Sequence, residues 1–262
     1  MSNQEKLKVT VTGSGGSRGV PRIGNDWGVC DPSNPKNRRT ANALFVEKGD
    51  ARIIVDCGPD VRQQVNSLGR TIKTISGILL THIHPDHTCG LYETQAFLQT
   101  GSKIPLYTSG ECYDYLKQAY PFFFKEAPGY PPAFDVTTIE EGGFEMNGVD
   151  IQAVPMDHGN CKTLGFVFDE KVAYLTDTIS MPDEWFDKLA SMNLEALVIE
   201  CTGYEPMSCH LHYDKSIEWA RRIEAKKTYL TDLRPNSDYE VLKARCPETI
   251  EPAYDGLVIE CE

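Results

Sequence analysis

Three imidazoles and a carboxylate fall within the hexapeptide of residues 82–87, at His82, His84, Asp86 and His87. The apolar run Ile78-Leu79-Leu80 just before them reads as a buried strand, which puts the cluster at the rim of a sheet. On a tight loop, His82 and His84 can grip one metal ion while Asp86 and His87 turn toward a second. Neutral imidazole and carboxylate suit zinc, manganese or iron. Two such ions about 3.5–4 Å apart form a clamp for cleaving phosphate esters. The chain has only 6 histidines in 262 residues, so three in one hexapeptide are a poor fit to a merely solvated loop.

The remaining polar candidates each stand just past an expected strand. His158 follows a strand at 151–154, Asp177 follows 172–176, and Asp232 follows 229–231. His210 and His212 come after the strand at 196–200 and a loop. Asp177 alone is ambiguous, because a strand-end Asp before Thr178 reads equally well as a helix cap.

Stepping outward to the elements, strands are expected at 8–12, 43–47, 52–56, 75–80, 104–108, 136–139, 144–146, 149–154, 164–168, 172–176, 196–200, 229–231 and 257–259. Lys48-Gly49-Asp50 and Asn147-Gly148 read as hairpin turns, the second of type I′. Helical spacing marks 61–68 (with Asp60 as cap and Gly69 as stop), 91–99, 214–225 and 238–245. Gly13-Ser14-Gly15-Gly16-Ser17 after the first strand can bring backbone amides close to a ligand, although a tight turn is the commoner use of such a run. Residues 24–39 read as a long functional loop, with Lys36, Arg38 and Arg39 solvated. Residues 111–134 interleave Tyr113, Tyr115, Tyr120, Phe122, Phe123, Phe124, Tyr130 and Phe134 with four prolines. They predict an aromatic satellite core that also forms part of a substrate wall.

Composition bounds the rest. A 40% hydrophobic and 24% charged chain is ordinary for a globular protein, and a net charge of −12 opposes binding to a long polyanionic nucleic acid. The 9 cysteines are scattered without a CxxC pair and predict small core residues rather than a disulfide framework. No apolar run spans a membrane, and the polar residues 1–8 predict a cytoplasmic address. Without repeats or linkers, 1–262 reads as a single domain.

The HxHxDH loop resembles that of the metallo-β-lactamase superfamily. Local strings look most like the branch of ribonuclease Z and the phosphoribosyl cyclic phosphodiesterases: Gly-Ser-Gly-Gly early, His158-Gly159 after a Val-Pro strand, and Tyr174-Leu175-Thr176-Asp177. The resemblance implies an α/β fold, an αββα sandwich of two packed mixed sheets with helices outside. It implies that His82, His84 and His158 hold one metal, Asp86 and His87 a second, with Asp177 bridging, and that His210 is the general acid. One position departs: the family has Leu-Thr-His where this chain has Leu230-Thr231-Asp232. Asp232 can replace the imidazole as a harder oxygen ligand favouring manganese or iron, His212 can swing in, or the second site is weakened or empty.

The expected activity is therefore that of a dinuclear (zinc or manganese, with iron as a third option) phosphodiesterase for a small cyclic phosphate or nucleotide-like diester. Hydroxide generated at the metals would be the nucleophile, and His210 and Asp86 would be the catalytic side chains. The expected partner is a small phosphate-containing substrate, with no long nucleic acid, no membrane, and a homodimer as the oligomer the resemblance suggests. Two other classes fit the same residues: a lactone or thioester metallohydrolase, and a nucleotide-binding protein with weakened catalysis. Asp56 and Asp157 are candidates for orienting the ligating imidazoles, with a purely structural role the commoner alternative.

Overall fold

The computed structural model describes residues 5–126, 128 and 131–261. Its first half contributes β1 (Leu7–Gly13), β2 (Ala43–Lys48), β3 (Ala51–Val55), β4 (Gly77–Leu79), β5 (Ile104–Thr108) and β6 (Phe134–Thr138). The second contributes β7 (Gly142–Met146), β8 (Val149–Asp157), β9 (Lys162–Phe168), β10 (Val172–Leu175), β11 (Ala196–Glu200), β12 (Lys227–Thr231), β13 (Ile250–Pro252) and β14 (Leu257–Cys261). They form two seven-stranded sheets, β14-β1-β2-β3-β4-β5-β6 and β13-β12-β11-β10-β9-β8-β7. Each sheet is antiparallel through its meander and parallel beyond it, and β14 crosses back to pair with β1.

The alternating apolar residues explain why the sheets stack. Val9, Val11, Leu44, Val46, Ile53 and Leu79 of the first sheet share one buried cluster with Ile151, Phe166, Phe168, Tyr174 and Val198 of the second. The parallel strands β10, β11 and β4 are buried along their whole length, because helices cover their other faces. Those helices are α1 (Val61–Ser67), α2 (Pro85–Thr88), α3 (Leu91–Thr94) and α4 (Gly110–Ala119) in the first half, then α5 (Asp183–Ser191), α6 (Tyr213–Ile223) and α7 (Tyr239–Arg245). Trp185, Phe186, Leu189, Ile217, Trp219 and Ile223 fill the outer cluster on the second sheet. The expected αββα architecture is the one observed.

Several local expectations need correction. The helix expected over 91–99 stops at Thr94 and tightens into a 3₁₀ turn, Gln95–Phe97. Asp60 does not cap α1 with its side chain; its carboxylate instead accepts the Ala41 amide at 2.9 Å. Of the three basic residues expected to be solvated, Arg38 is exposed, but Lys36 and Arg39 anchor the loop. Arg39 is 2% exposed, donating to the Ser237 carbonyl and Asn37, and Lys36 donates to the Tyr239 hydroxyl. The aromatic segment begins with a ten-residue helix, α4, that the prolines hid; Ser109 caps it by accepting the Cys112 amide. Phe123 and Phe134 are buried there with Tyr120 and Phe124 packed on them, whereas Phe122 is exposed. Tyr130 lies outside the described residues. The Asn147-Gly148 turn has φ +50° and +84°, as type I′ requires.

Candidate metal centre

One rim of the sandwich collects the strand ends. β4 leads into Thr81–His87, β8 into His158, β10 into Asp177, β11 ends in Glu200 and β12 leads into Asp232. Three of these acids, Asp56 after β3 (φ +66°), Asp177 (+53°) and Asp232 (+56°), adopt the left-handed backbone region. Asp tolerates that conformation better than most side chains, and strain of this kind gathers at functional sites.

The histidines are held with defined nitrogens outward. The Thr81 hydroxyl lies 3.0 Å from His82 Nδ1, and His82 Nε2 faces His84 Nδ1 at 2.8 Å. His158 Nδ1 is 2.6 Å from the Cys209 carbonyl, so Nδ1 carries the proton and Nε2 points inward, 3.8 Å from Asp177 Oδ1. His87 Nδ1 meets Asp56 Oδ2 at 2.8 Å, and its Nε2 lies 3.3 Å from both Asp86 Oδ2 and Asp177 Oδ2. Asp56 is itself fixed by the Thr81 amide and hydroxyl. A carboxylate behind an imidazole sets its tautomer and orientation. Asp157, by contrast, pairs with Lys162 and the Gly159 amide near the surface.

His210 Nδ1 rests 2.8 Å from Glu200 Oε2, 3.6 Å from Asp232 Oδ2 and 3.8 Å from Asp177 Oδ1. Sequence reading missed Glu200, although a Glu closing the strand at 196–200 is the same strand-end signal that marked the others. Asp177 caps no helix; it accepts the Thr176 hydroxyl at 2.7 Å. His212 stands at the start of α6 and joins none of the candidate ligand groups among the described residues.

The electrostatics fit a divalent cation. Burial, with help from neighbouring imidazoles, holds the His82 ring well below its ordinary value, and burial lowers His158 too, so both present neutral nitrogen. Burial first, then the charge of Asp177, pushes Asp232 and Glu200 well above the carboxylate range. Burial also raises Asp177, but His87, His210 and His158 outweigh it and leave that carboxyl low. Asp232 Oδ2 is buried with no hydrogen-bond partner. Buried acids this close, one of them unpaired, want a cation among them. His82, His158 and Asp177 offer ligand atoms within 4.8 Å of one another, as do Asp177, His210 and Asp232.

The family profile described as "Beta-lactamase superfamily domain" matches residues 51–231. The solved structure of a new diphosphatase from the PhnP family superposes with a TM-score of 0.88, at 31% identity over 98% of this chain and 97% of that one. Among curated relatives, an octanoyltransferase of Porphyromonas gingivalis is 27% identical over 261 residues, 96% of this chain and 51% of its own length. A ribonuclease Z of Bradyrhizobium diazoefficiens is 28% identical over 140 residues, 52% of this chain and 46% of its own. The chain thus spans about half the length of these curated relatives. It belongs to the metallo-β-lactamase superfamily of hydrolases, in the branch of ribonuclease Z and the PhnP family. Divalent metals such as zinc are bound in this family. Among the described residues no helix is long and apolar enough to cross a membrane.

Proposed function

We propose that this protein is a dinuclear metal-dependent phosphodiesterase for a small cyclic phosphate or nucleotide-like diester. His82, His84, His158 and Asp177 would hold one ion, and Asp86, His87, Asp177 and Asp232 the other. When bound, two divalent cations supply Lewis acidity that activates water and neutralises charge growing on the phosphate. Every other part falls to the chain itself. Asp56, through His87, and the Cys209 carbonyl, through His158, aim the ligating nitrogens. Glu200 holds His210 by Nδ1, which frees Nε2 to give a proton to the departing oxygen as the phosphorus–oxygen bond breaks. A cavity of about 260 Å³, lined by Gly16, Ser17, Arg18, Arg22 and Arg234, adjoins this rim. A Cβ on Gly16 would lie 3.1 Å from both Asp232 Oδ1 and the Arg234 side chain. These guanidinium groups supply the cationic surroundings that a phosphate needs in an otherwise acidic protein.

The His210–Glu200 contact, beside Asp177 and Asp232, is the observation that carries this reading. It provides a proton donor next to the acidic centre, which phosphoester cleavage requires for its alkoxide leaving group. The diphosphatase neighbour supports cleavage of a phosphorus–oxygen bond, there in an anhydride rather than an ester. The test is hydrolysis of a ribonucleoside 2′,3′-cyclic phosphate, whose leaving group is an alkoxide, by purified protein with added manganese or zinc, alongside metal content. Turnover that falls about 10²–10⁴-fold in His210→Ala supports the reading. No turnover with either metal, or an unaffected His210→Ala, sinks it.

A further inference from the structure

Cys161 stands out among the nine thiols because of its position. Gly159, at φ +87°, folds the chain after β8 into a tight turn closed by the His158 amide donating to the Cys161 carbonyl at 3.0 Å. That turn sets the Cys161 thiol beside the metal loop. Its Sγ and ligand nitrogens of His82 and His84 all lie within 4.8 Å of one another. His82 also belongs to the group with His158 and Asp177, so both groups bear on the same ion. Cys161 is 8% exposed, and burial pushes its thiol up to about 11. A thiol coordinated to a metal gives up its proton to solvent.

The opposite side of the centre differs in kind. Asp86 and Asp177 face His87 Nε2 at 3.3 Å there, and Asp177 and Asp232 face His210 Nδ1 at 3.8 and 3.6 Å, so three carboxylates stand against two imidazoles. One side thus offers nitrogen and sulfur, the other mostly oxygen. Soft thiolate and imidazole select zinc, whereas carboxylates select manganese and similar hard ions.

We propose that Cys161 is a ligand of the ion held by His82 and His84, and that the centre is heterodinuclear, with zinc on the Cys161 side and manganese or iron on the Asp232 side. The inference rests on the dinuclear centre proposed above. It differs from the sequence expectation that Cys161 is a small core residue.

The experiment is reconstitution of metal-stripped full-length protein with cobalt(II), read by absorption. A near-ultraviolet thiolate-to-cobalt charge-transfer band is expected at the first equivalent. It should vanish in Cys161→Ser and persist in Cys89→Ser and Cys209→Ser. Equimolar zinc and manganese should load as one of each, and Cys161→Ser should lower the retained zinc-to-manganese ratio about tenfold. Two equivalents of cobalt bound by the wild type without the band, or a band unchanged in Cys161→Ser, overturns the inference and leaves the dinuclear reading intact. Failure to take up cobalt at all overturns both. The wild-type spectrum decides between these outcomes even if a variant folds poorly.

Discussion

Asp232 stands where the resemblance leads one to expect histidine, and its surroundings fix what its removal should do. The carboxylate is buried, one oxygen has no partner, and Asp177 and Glu200 stand close enough to push its proton affinity up. In metal-free protein it is therefore a burden. Asp232→Ala should leave the apo-protein as stable or about 1 kcal/mol more stable by urea unfolding, because an unsatisfied buried polar group is removed. The same change should lower metal content by about one ion per chain. A loss of both stability and metal together would instead mark Asp232 as structural. Glu200→Gln makes a second residue-scale case. The amide keeps the shape but puts a different group, one that can donate as well as accept, against His210 Nδ1, so kcat should fall about tenfold or more with metal content unchanged. Metal analysis paired with steady-state kinetics on one preparation checks it.

At the scale of elements, β4 and the short helix α2 carry the metal loop, and close backbone contact fixes where they lie. A Cβ on Gly58 would lie 2.0 Å from the Asp86 carbonyl oxygen, and one on Gly90 would lie 1.9 Å from the Gly58 carbonyl oxygen. Backbone cannot yield as a flexible side chain can, so Gly58→Ala must displace the loop that carries Asp86 and His87. The expected outcome is a lowered melting temperature together with loss of metal, measured by calorimetry and metal analysis. Full metal content at wild-type stability would contradict it. The close approach of these glycines is invisible in the sequence because it joins segments some thirty residues apart. Other parts were legible for local reasons. The run at 104–108 and the run at 196–200 announced strands by their apolar content, and the HxHxDH spacing announced the loop. Helix α5 was not anticipated although Trp185, Phe186 and Leu189 share a buried face, since nine residues give the period barely two turns to declare itself. Glu200 was missed although it closes an expected strand, because only the fold shows that His210 stands against it.

The whole molecule is closed by ties between its two halves, and one of them has a defined acid dependence. Asp238 caps α7, accepting the amides of Glu240 and Val241. It also accepts the Asn37 side-chain amide at 2.6 Å and the Asp31 backbone amide at 3.0 Å, so it pins the 24–39 loop of the first half to the second. Burial pushes this carboxyl up, but the donors from Asp31, Val241, Asn37 and Glu240 outweigh it and hold the group below its usual 3.8. A depressed acid stabilises the fold above its unfolded pKa, and that contribution disappears as pH falls through the folded value. Asp238→Ala should therefore cost about 1 kcal/mol at pH 7, the usual worth of a helix cap, with the loop ties adding to it. The difference from wild type should shrink steadily below about pH 4. Urea unfolding of both proteins from pH 7 to pH 3 measures this directly. A gap that stays constant across that range would mean that the charge of Asp238 contributes nothing to this tie.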